Sequence, residues 1–129
     1  MCIRGKGYTY TWPAELGTHP WQDGKGDLVK RQDYVPGGMV SAAPGGADWF
    51  HQHLGAAKDS FRQMVFATAA GAVPRGVPGE YVVTANADVQ DGGGTIPYWD
   101  EDPHIRREYE EAMRAEGAKS TMPESVYHR

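Results

Sequence analysis

Glycine and proline interrupt the first hundred residues of this chain so often that no long helix fits among them. The 129 residues include 17 glycines and 9 prolines, and several stand together, as in Pro36-Gly37-Gly38 and Gly92-Gly93-Gly94. Between these turn-formers lie short runs of strand-favouring residues, at 8–12, 38–43, 48–54, 61–68, 81–85 and 95–99. Short strands separated by turn signals are typical of an all-β sandwich or barrel. We therefore expect a mainly β fold over residues 1–99.

One helix is predicted near the C-terminus, within a second segment that covers residues 100–129. Asp102 suits the N-cap, Pro103 the first helical position and Gly117 the stop after the last turn. The apolar residues that recur at helical spacing are Ile105, Tyr109, Ala112 and Met113. This stripe predicts that the helix packs against the β body or against a partner subunit. The tail beginning at Lys119 has no strong pattern, so we expect it to be loosely ordered.

Charge and cysteine content exclude several classes of function. Lysine and arginine number 13 and aspartate and glutamate 17, so the net charge is −4 with neutral histidine. Binding to nucleic-acid phosphates needs clustered basic residues, which this balance does not supply. The single cysteine, Cys2, excludes an internal disulfide and a CxxC site. No apolar run approaches the roughly 18 residues of a membrane span, and the first residues lack the apolar stretch of a signal peptide, so we expect a cytoplasmic protein with no membrane partner.

The run Trp-Phe-His-Gln-His, which begins at Trp49, is the pattern that most directly suggests chemistry. Side chains alternate along an extended strand, so His51 and His53 would point to one face, about 7 Å apart along the strand. Trp49 would share that face, whereas Phe50 and Gln52 would point to the other. Two imidazoles on one strand face can bind the same metal ion, although two ligands alone do not make a site.

Simpler interpretations of the candidate residues stay open at this point. The two histidines could be hydrogen-bonded strand residues in a polar barrel mouth, and His53 could equally be a metal ligand, a positioning residue or a substrate contact. Trp49 could pack in the core or form the wall of a pocket. Gln63 could be an ordinary strand residue or orient a ligand, and Tyr10 could belong to a packed strand face or to a ligand wall. We take Trp49, Gln63 and Tyr10 as candidate substrate-pocket residues, and nominate no catalytic residue and no organic cofactor.

Around these histidines the chain resembles the cupin family. The second cupin motif begins with Gly, five residues, Pro, one residue and Gly, and this sequence matches it from Gly38 through Pro44 to Gly46. The chain then departs from the usual spacing, because Trp49 stands where the motif has its His and His51 comes two residues later. The run is similar to that of a cupin subgroup in which a longer turn precedes a His-x-His pair.

The resemblance implies a fold, a bound metal and the absence of three of the usual metal ligands. The fold would be a double-stranded β-helix, or jelly-roll barrel, formed by residues 1–99, and the metal Fe, Mn, Ni or Zn with His51 and His53 as ligands. The turn at Gly5 resembles the end of the first cupin motif, which normally supplies a His-x-His pair and a Glu ahead of that turn. These three ligands would precede Met1, so we expect an N-terminally truncated cupin that by itself binds a divalent metal weakly or not at all.

For the function, the resemblance implies a metal-dependent enzyme of the dioxygenase type that acts on a small organic molecule. An open His/carboxylate metal site can bind substrate oxygens and dioxygen together, which supports such chemistry. The alternative is a non-catalytic cupin that binds a small ligand or serves in regulation or assembly, and the missing carboxylate favours it for this chain. A homodimer is expected in either case, because a truncated sheet would leave exposed strand edges.

Overall fold

A computed structural model of the chain describes residues 1–44, 48–66 and 87–129. Within these residues it shows short antiparallel sheets and one α-helix near the C-terminus, so the predicted mainly β architecture with a C-terminal helix is confirmed. The elements are β1 (Cys2–Arg4), β2 (Gly7–Pro13), β3 (Lys30–Asp33), β4 (Trp49–Gly55), β5 (Arg62–Gln63) and α1 (Pro103–Ala115). Short 3₁₀ turns are formed by Ala14–Leu16, Gly26–Leu28, Val89–Asp91, Tyr98–Asp100 and Glu124–Tyr127.

β2 is the central strand of a three-stranded sheet in the order β3-β2-β4. It runs antiparallel to both neighbours, and its pairing with β4 extends from Gly7 opposite Gly55 to Pro13 opposite Trp49. Gly7 is required in this register because a Cβ atom there would lie 2.4 Å from the carbonyl oxygen of Leu54. β1 and β5 form a separate two-stranded sheet. The long β2–β4 pairing therefore sets which residues of β4 share a face.

Both faces of β2 are buried, and the two faces differ in chemistry. Tyr8, Tyr10 and Trp12 are each no more than 2% exposed and belong to the hydrophobic core that α1 completes. The other core residues are Leu16, Leu54, Ala56, Ile105 and Met113. Thr9 and Thr11 alternate with the aromatics and are buried as well, so a covered polar surface lies on the opposite side of the sheet.

The predicted ends of α1 are confirmed. Asp102 caps the N-terminus by accepting a hydrogen bond from the backbone N–H of His104 (3.0 Å), and Pro103 is the first helical residue. Gly117 has the left-handed φ of +66°, and its N–H closes the last turn on the carbonyl of Arg114 (2.9 Å). The apolar stripe packs into the core through Ile105, Tyr109, Ala112 and Met113. In the part of the chain that the structure describes, no helix is long and apolar enough to cross a membrane.

Asp102 also joins α1 to the loop that follows β2. Its side chain is 1% exposed, and Oδ2 accepts hydrogen bonds from the backbone N–H groups of Trp21 (2.9 Å) and Gln22 (3.1 Å) while Oδ1 caps the helix. A buried carboxylate is tolerated only where hydrogen bonds replace the water it has lost. This one side chain therefore holds the start of α1 against the body of the protein.

The prediction of a strand over residues 38–43 is wrong. At the start of this segment the carbonyl of Gly38 accepts a hydrogen bond from the backbone N–H of Cys2 (2.9 Å), and near its end the carbonyl of Ala42 accepts one from the Thr11 hydroxyl (2.5 Å). A second predicted strand, 95–99, is reduced to an isolated bridge at Thr95 and the start of a 3₁₀ turn. Strand-favouring residues form a strand only where a neighbouring strand pairs with their backbone, and these two runs bond elsewhere.

Two further predicted strands, 61–68 and 81–85, lie partly or wholly outside the described residues. Of the run 61–68, Arg62–Gln63 forms a strand, residues 64–66 do not, and the last two residues lie outside the described part of the chain. The predicted strand 81–85 also lies outside it. Conversely, β1 and β3 are not predicted, because the charged run that forms β3 shows no apolar alternation.

The segment that follows α1 is packed against the helix, contrary to the expectation of a loose tail. Arg106 donates hydrogen bonds to both carboxylate oxygens of Glu124 (3.0 and 2.5 Å), and its guanidinium carbon lies 4.0 Å from the ring centre of Tyr127. Tyr127 in turn makes an edge contact with Tyr98, with 5.9 Å between ring centres. A bidentate ion pair and a cation–π contact therefore hold the C-terminal turn in place.

Replacing Asp102 with Ala is expected to destabilise the protein strongly. The change removes the helix cap and leaves the backbone N–H groups of Trp21 and Gln22 without an acceptor, at a combined cost of about 2–4 kcal/mol. Urea unfolding followed by circular dichroism measures this cost, with Asp27→Ala on an exposed turn as the control. A loss as small as that of the control would show that the carboxylate does not hold the helix.

Candidate functional site

β4 presents His51 and His53 on the same face of the sheet, as the alternation in the sequence predicts. The β2–β4 register places His51 opposite Thr11 and His53 opposite Thr9. The two imidazole ring centres lie 5.2 Å apart, with an angle of 58° between the ring planes. Phe50 packs against the hydrophobic core from the other face of the strand. The threonine face of the sheet therefore carries both imidazoles.

Two hydroxyl groups position the ring of His53. Its Nδ1 lies 2.7 Å from Thr9 Oγ1 and 3.0 Å from the Tyr34 hydroxyl, and Thr9 Oγ1 donates to that hydroxyl (2.7 Å). The tautomer with its proton on Nδ1 continues this chain, since Nδ1–H donates to Thr9 and Thr9 donates to Tyr34. In that tautomer Nε2 carries the lone pair and can bind a ligand; in the other tautomer the Tyr34 hydroxyl donates to Nδ1, and Nε2 carries the proton.

His51 is held less firmly than His53. Its side chain is exposed, whereas that of His53 is half-buried. Within the described residues its ring contacts the His53 ring but forms no hydrogen bond. The pair is therefore asymmetric, because hydroxyl groups fix the ring of His53 and no hydrogen bond from a described residue fixes that of His51.

Both imidazoles favour the neutral form. Partial loss of hydration lowers the pKa of His51 from its ordinary value of 6.5. The same effect lowers the pKa of His53, with smaller contributions from His51 when it is protonated and from the N-terminal ammonium. A metal ligand must offer a deprotonated ring nitrogen, so lowered pKa values suit both residues to that role near neutral pH.

The separation of the rings fits a shared metal ion. With a metal–nitrogen bond of about 2.1 Å, each ring centre lies about 3.2 Å from the ion, and two such rings stand about 4.6–5.3 Å apart at bond angles of about 90–110°. The observed 5.2 Å falls in this range. Among the residues that the structure describes, however, no group of three or more His, Cys, Asp or Glu side chains is placed to hold a metal. The two histidines are therefore spaced as two candidate ligands, and no described residue adds a third.

A cleft of about 430 Å³ runs along the edge of β4 beside His51. Its walls include Trp49, Phe50, His51 and Gln52 from β4, and Tyr98 and Glu101 from the segment that precedes α1. Clefts of this size with aromatic walls and a few polar groups are the usual form of small-molecule sites. The cleft therefore brings a candidate metal ligand to a space that can admit a small molecule.

Glu101 is an acidic group of this cleft. Its carboxylate Oε1 accepts a hydrogen bond from Gln52 Nε2 (2.6 Å). Burial raises the pKa of Glu101, while the Gln52 hydrogen bond and the positive charge of Arg106 act in the opposite direction. β4 thus contributes to the cleft from both of its faces. One face carries the imidazole of His51, and on the other face Gln52 holds the carboxylate of Glu101 in place.

The three residues predicted for a substrate pocket lie in different places. Trp49 lines the cleft and shares the strand face of His51. Tyr10 lies on the opposite face of the sheet, 2% exposed in the hydrophobic core, because it alternates with the buried threonines of β2. Gln63 belongs to β5, in the other sheet, and forms no hydrogen bond with the histidines. Of the three, only Trp49 lines the cleft together with His51.

Three residues of the site are not predicted from the sequence: Thr9, Tyr34 and Glu101. The alternation of β2 could have assigned Thr9 to the face opposite the aromatics. Tyr34 follows β3 in a loop, where no periodic pattern indicates its direction. Glu101 belongs to an acidic run that suits the positive end of a helix, so the sequence gives no separate sign that its carboxylate lines the cleft.

Comparison with known proteins does not place the chain in a family. It matches no protein-family model, no curated protein and no solved structure. The resemblance to cupins stays a prediction from the sequence, and the functional conclusions rest on the geometry described above.

Acidification is expected to weaken the folded state through His53. The pKa of His53 is lowered by folding, so below about pH 6.5 the unfolded chain binds a proton more readily than the folded one. The contribution of His53 to the free energy of unfolding is therefore fully present above that pH and decreases as the pH falls below it. His53→Asn keeps a hydrogen-bonding group beside Thr9 but cannot titrate, so it should reduce this decrease.

Urea titrations at about pH 7.5 and about pH 5.5 measure the effect as a difference between variants. Ser125→Ala, at an exposed position, is the control for a substitution that removes no titratable group. An unchanged pH dependence in His53→Asn would contradict the assignment of a neutral imidazole at this position.

Proposed function

We propose that the chain is a cupin-like domain in which His51 and His53 are two ligands of a divalent transition metal, Fe, Mn, Ni or Zn. The observation that carries the proposal is the pair of imidazoles on one strand face, with ring centres 5.2 Å apart. In this interpretation β2 and β4 belong to a jelly-roll barrel, and the buried polar face with Thr9 and Thr11 is part of its interior.

The hydroxyls around His53 support this role. Metal-binding histidines commonly use the second ring nitrogen in a hydrogen bond that fixes the tautomer and the ring direction. Thr9 and Tyr34 provide such partners for Nδ1, which leaves Nε2 for the ion. A histidine with a purely structural role would gain equally from these bonds, so the test must measure metal binding itself.

With a metal bound, such a domain would act on a small organic molecule. The ion supplies Lewis-acid activation of substrate oxygens and a binding position for dioxygen. The residues of this chain hold the ion through the two imidazoles, and the cleft beside His51, with Trp49 as an apolar wall, admits the substrate. The proposed reaction class is dioxygenase-like, and the further ligands of the ion come from outside the described residues.

A non-catalytic binding module is the second candidate function, and one observation favours it. The described residues supply two candidate metal donors and no group of three, whereas they line a cleft of about 430 Å³. A small molecule bound in the cleft would need neither the metal ion nor the further residues that would coordinate it. A homodimer is proposed with either function, and light scattering tests it directly.

The untagged chain is expected to bind Zn²⁺ or Ni²⁺ weakly, with a dissociation constant on the order of tens of micromolar or higher, because two imidazoles supply only part of a coordination shell. Calorimetric titration after treatment with a chelator measures the affinity. His51→Ala and His53→Asn, made singly, should each remove most of the binding, while the exposed control His128→Gln should not. Binding that survives both site substitutions would refute the proposal, and a tight one-to-one site would show that further ligands are already present.

A further inference from the structure

We infer that the cleft along β4 binds a small organic cation, a protonated amine carried on an apolar body, with the Glu101 carboxylate as its counter-ion. The inference rests on the second candidate function, in which the cleft is a binding site, and it requires no metal. The inference specifies the charge and the shape of the ligand, and the resemblance to cupins gives neither.

The walls of the cleft suit an apolar body next to a positive charge. The volume of about 430 Å³ lies within the range of about 300–1,000 Å³ that small-molecule sites occupy. Trp49, Phe50 and Tyr98 contribute aromatic side chains to it, and Tyr98 is 45% exposed, so its ring is open to contact. Aromatic faces attract ammonium groups as well as hydrocarbon, because the ring face carries partial negative charge.

Glu101 supplies a negative charge that the protein only partly compensates. Its carboxylate is half-buried and accepts one hydrogen bond from Gln52, and within the described residues it forms no ion pair. Arg106, whose charge acts on Glu101, is already paired with Glu110 and Glu124. A partly buried carboxylate without a cation gains a charge-assisted hydrogen bond when an ammonium group arrives.

The same lining disfavours an anion. No Lys or Arg occurs among the described residues that line the cleft. Asp102, which also lines the cleft, already accepts hydrogen bonds from three backbone N–H groups. A carboxylate ligand would therefore meet the negative charge of Glu101 without a positive partner, so the expected order of affinity is cation, then neutral molecule, then anion.

Three ligands that have the same aromatic ring and different charges distinguish binding of a cation, a neutral molecule and an anion. Phenethylammonium, phenylethanol and phenylacetate are titrated into the untagged, isotope-labelled chain in excess chelator, and amide shifts in NMR spectra report both site and affinity. We expect shifts at residues 49–52 and 98–101, and phenethylammonium should bind about tenfold or more tightly than phenylethanol. Glu101→Gln, which keeps a hydrogen-bond acceptor for Gln52, should bring the two affinities to within about threefold.

Two further variants keep the test independent of folding defects. Glu111→Gln, on the exposed side of α1, should retain the preference for the cation. Tyr98→Leu should weaken both the ammonium and the alcohol, and the ammonium somewhat more, because it removes an aromatic face but leaves the Glu101 charge that sets the order of affinity. The amide spectrum of each variant shows whether the fold is intact.

Each outcome of the titrations either supports or overturns the cation inference. A preference for phenylethanol or phenylacetate, or a cation preference that survives Glu101→Gln, overturns the inference but leaves the cleft as a binding site. The absence of cleft shifts with all three ligands overturns both the inference and the binding-module proposal. The metal proposal is unaffected by any of these results, because the chelator removes the ion throughout.

Discussion

The pairing of β2 with β4 is the interaction on which the rest of the structure depends. Since both faces of β2 are buried, the register decides which side chains of β4 enter the aromatic core and which join the threonines. A shift of one residue would turn His51 and His53 into the core and expose Leu54 to the polar face. Aromatic packing on one side, and the contact of Thr9 with His53 on the other, stabilise the same register.

One strand and one short acidic run together create both candidate sites. The odd-numbered residues of β4 carry the imidazole pair, while Gln52 reaches from the other face to Glu101. Asp102 is buried and its three hydrogen bonds fix the beginning of α1, so its neighbour Glu101 is held at the edge of the cleft. Two adjacent carboxylates thus differ in role because one is saturated by backbone N–H groups and the other is not.

The fold was predictable where the responsible forces are local. The ends of α1 follow from Asp102 and Gly117, because a cap and a left-handed glycine act within one turn. The segment 38–43 has the composition of a strand, yet it bonds to Thr11 across the sheet, a partner that its own sequence does not reveal. β3 pairs with β2 despite its charged composition, because an edge strand can keep its side chains in solvent.

For the site, the sequence by itself determined that His51, His53 and Trp49 share a strand face, since the two-residue period of a strand is a property of the backbone. Only the tertiary structure decided that Tyr34 meets His53, that Glu101 turns to the cleft and that Tyr10 is buried on the opposite face. These arrangements join elements far apart in the chain. They depend on which surfaces exclude water together, and no spacing along a single segment contains that information.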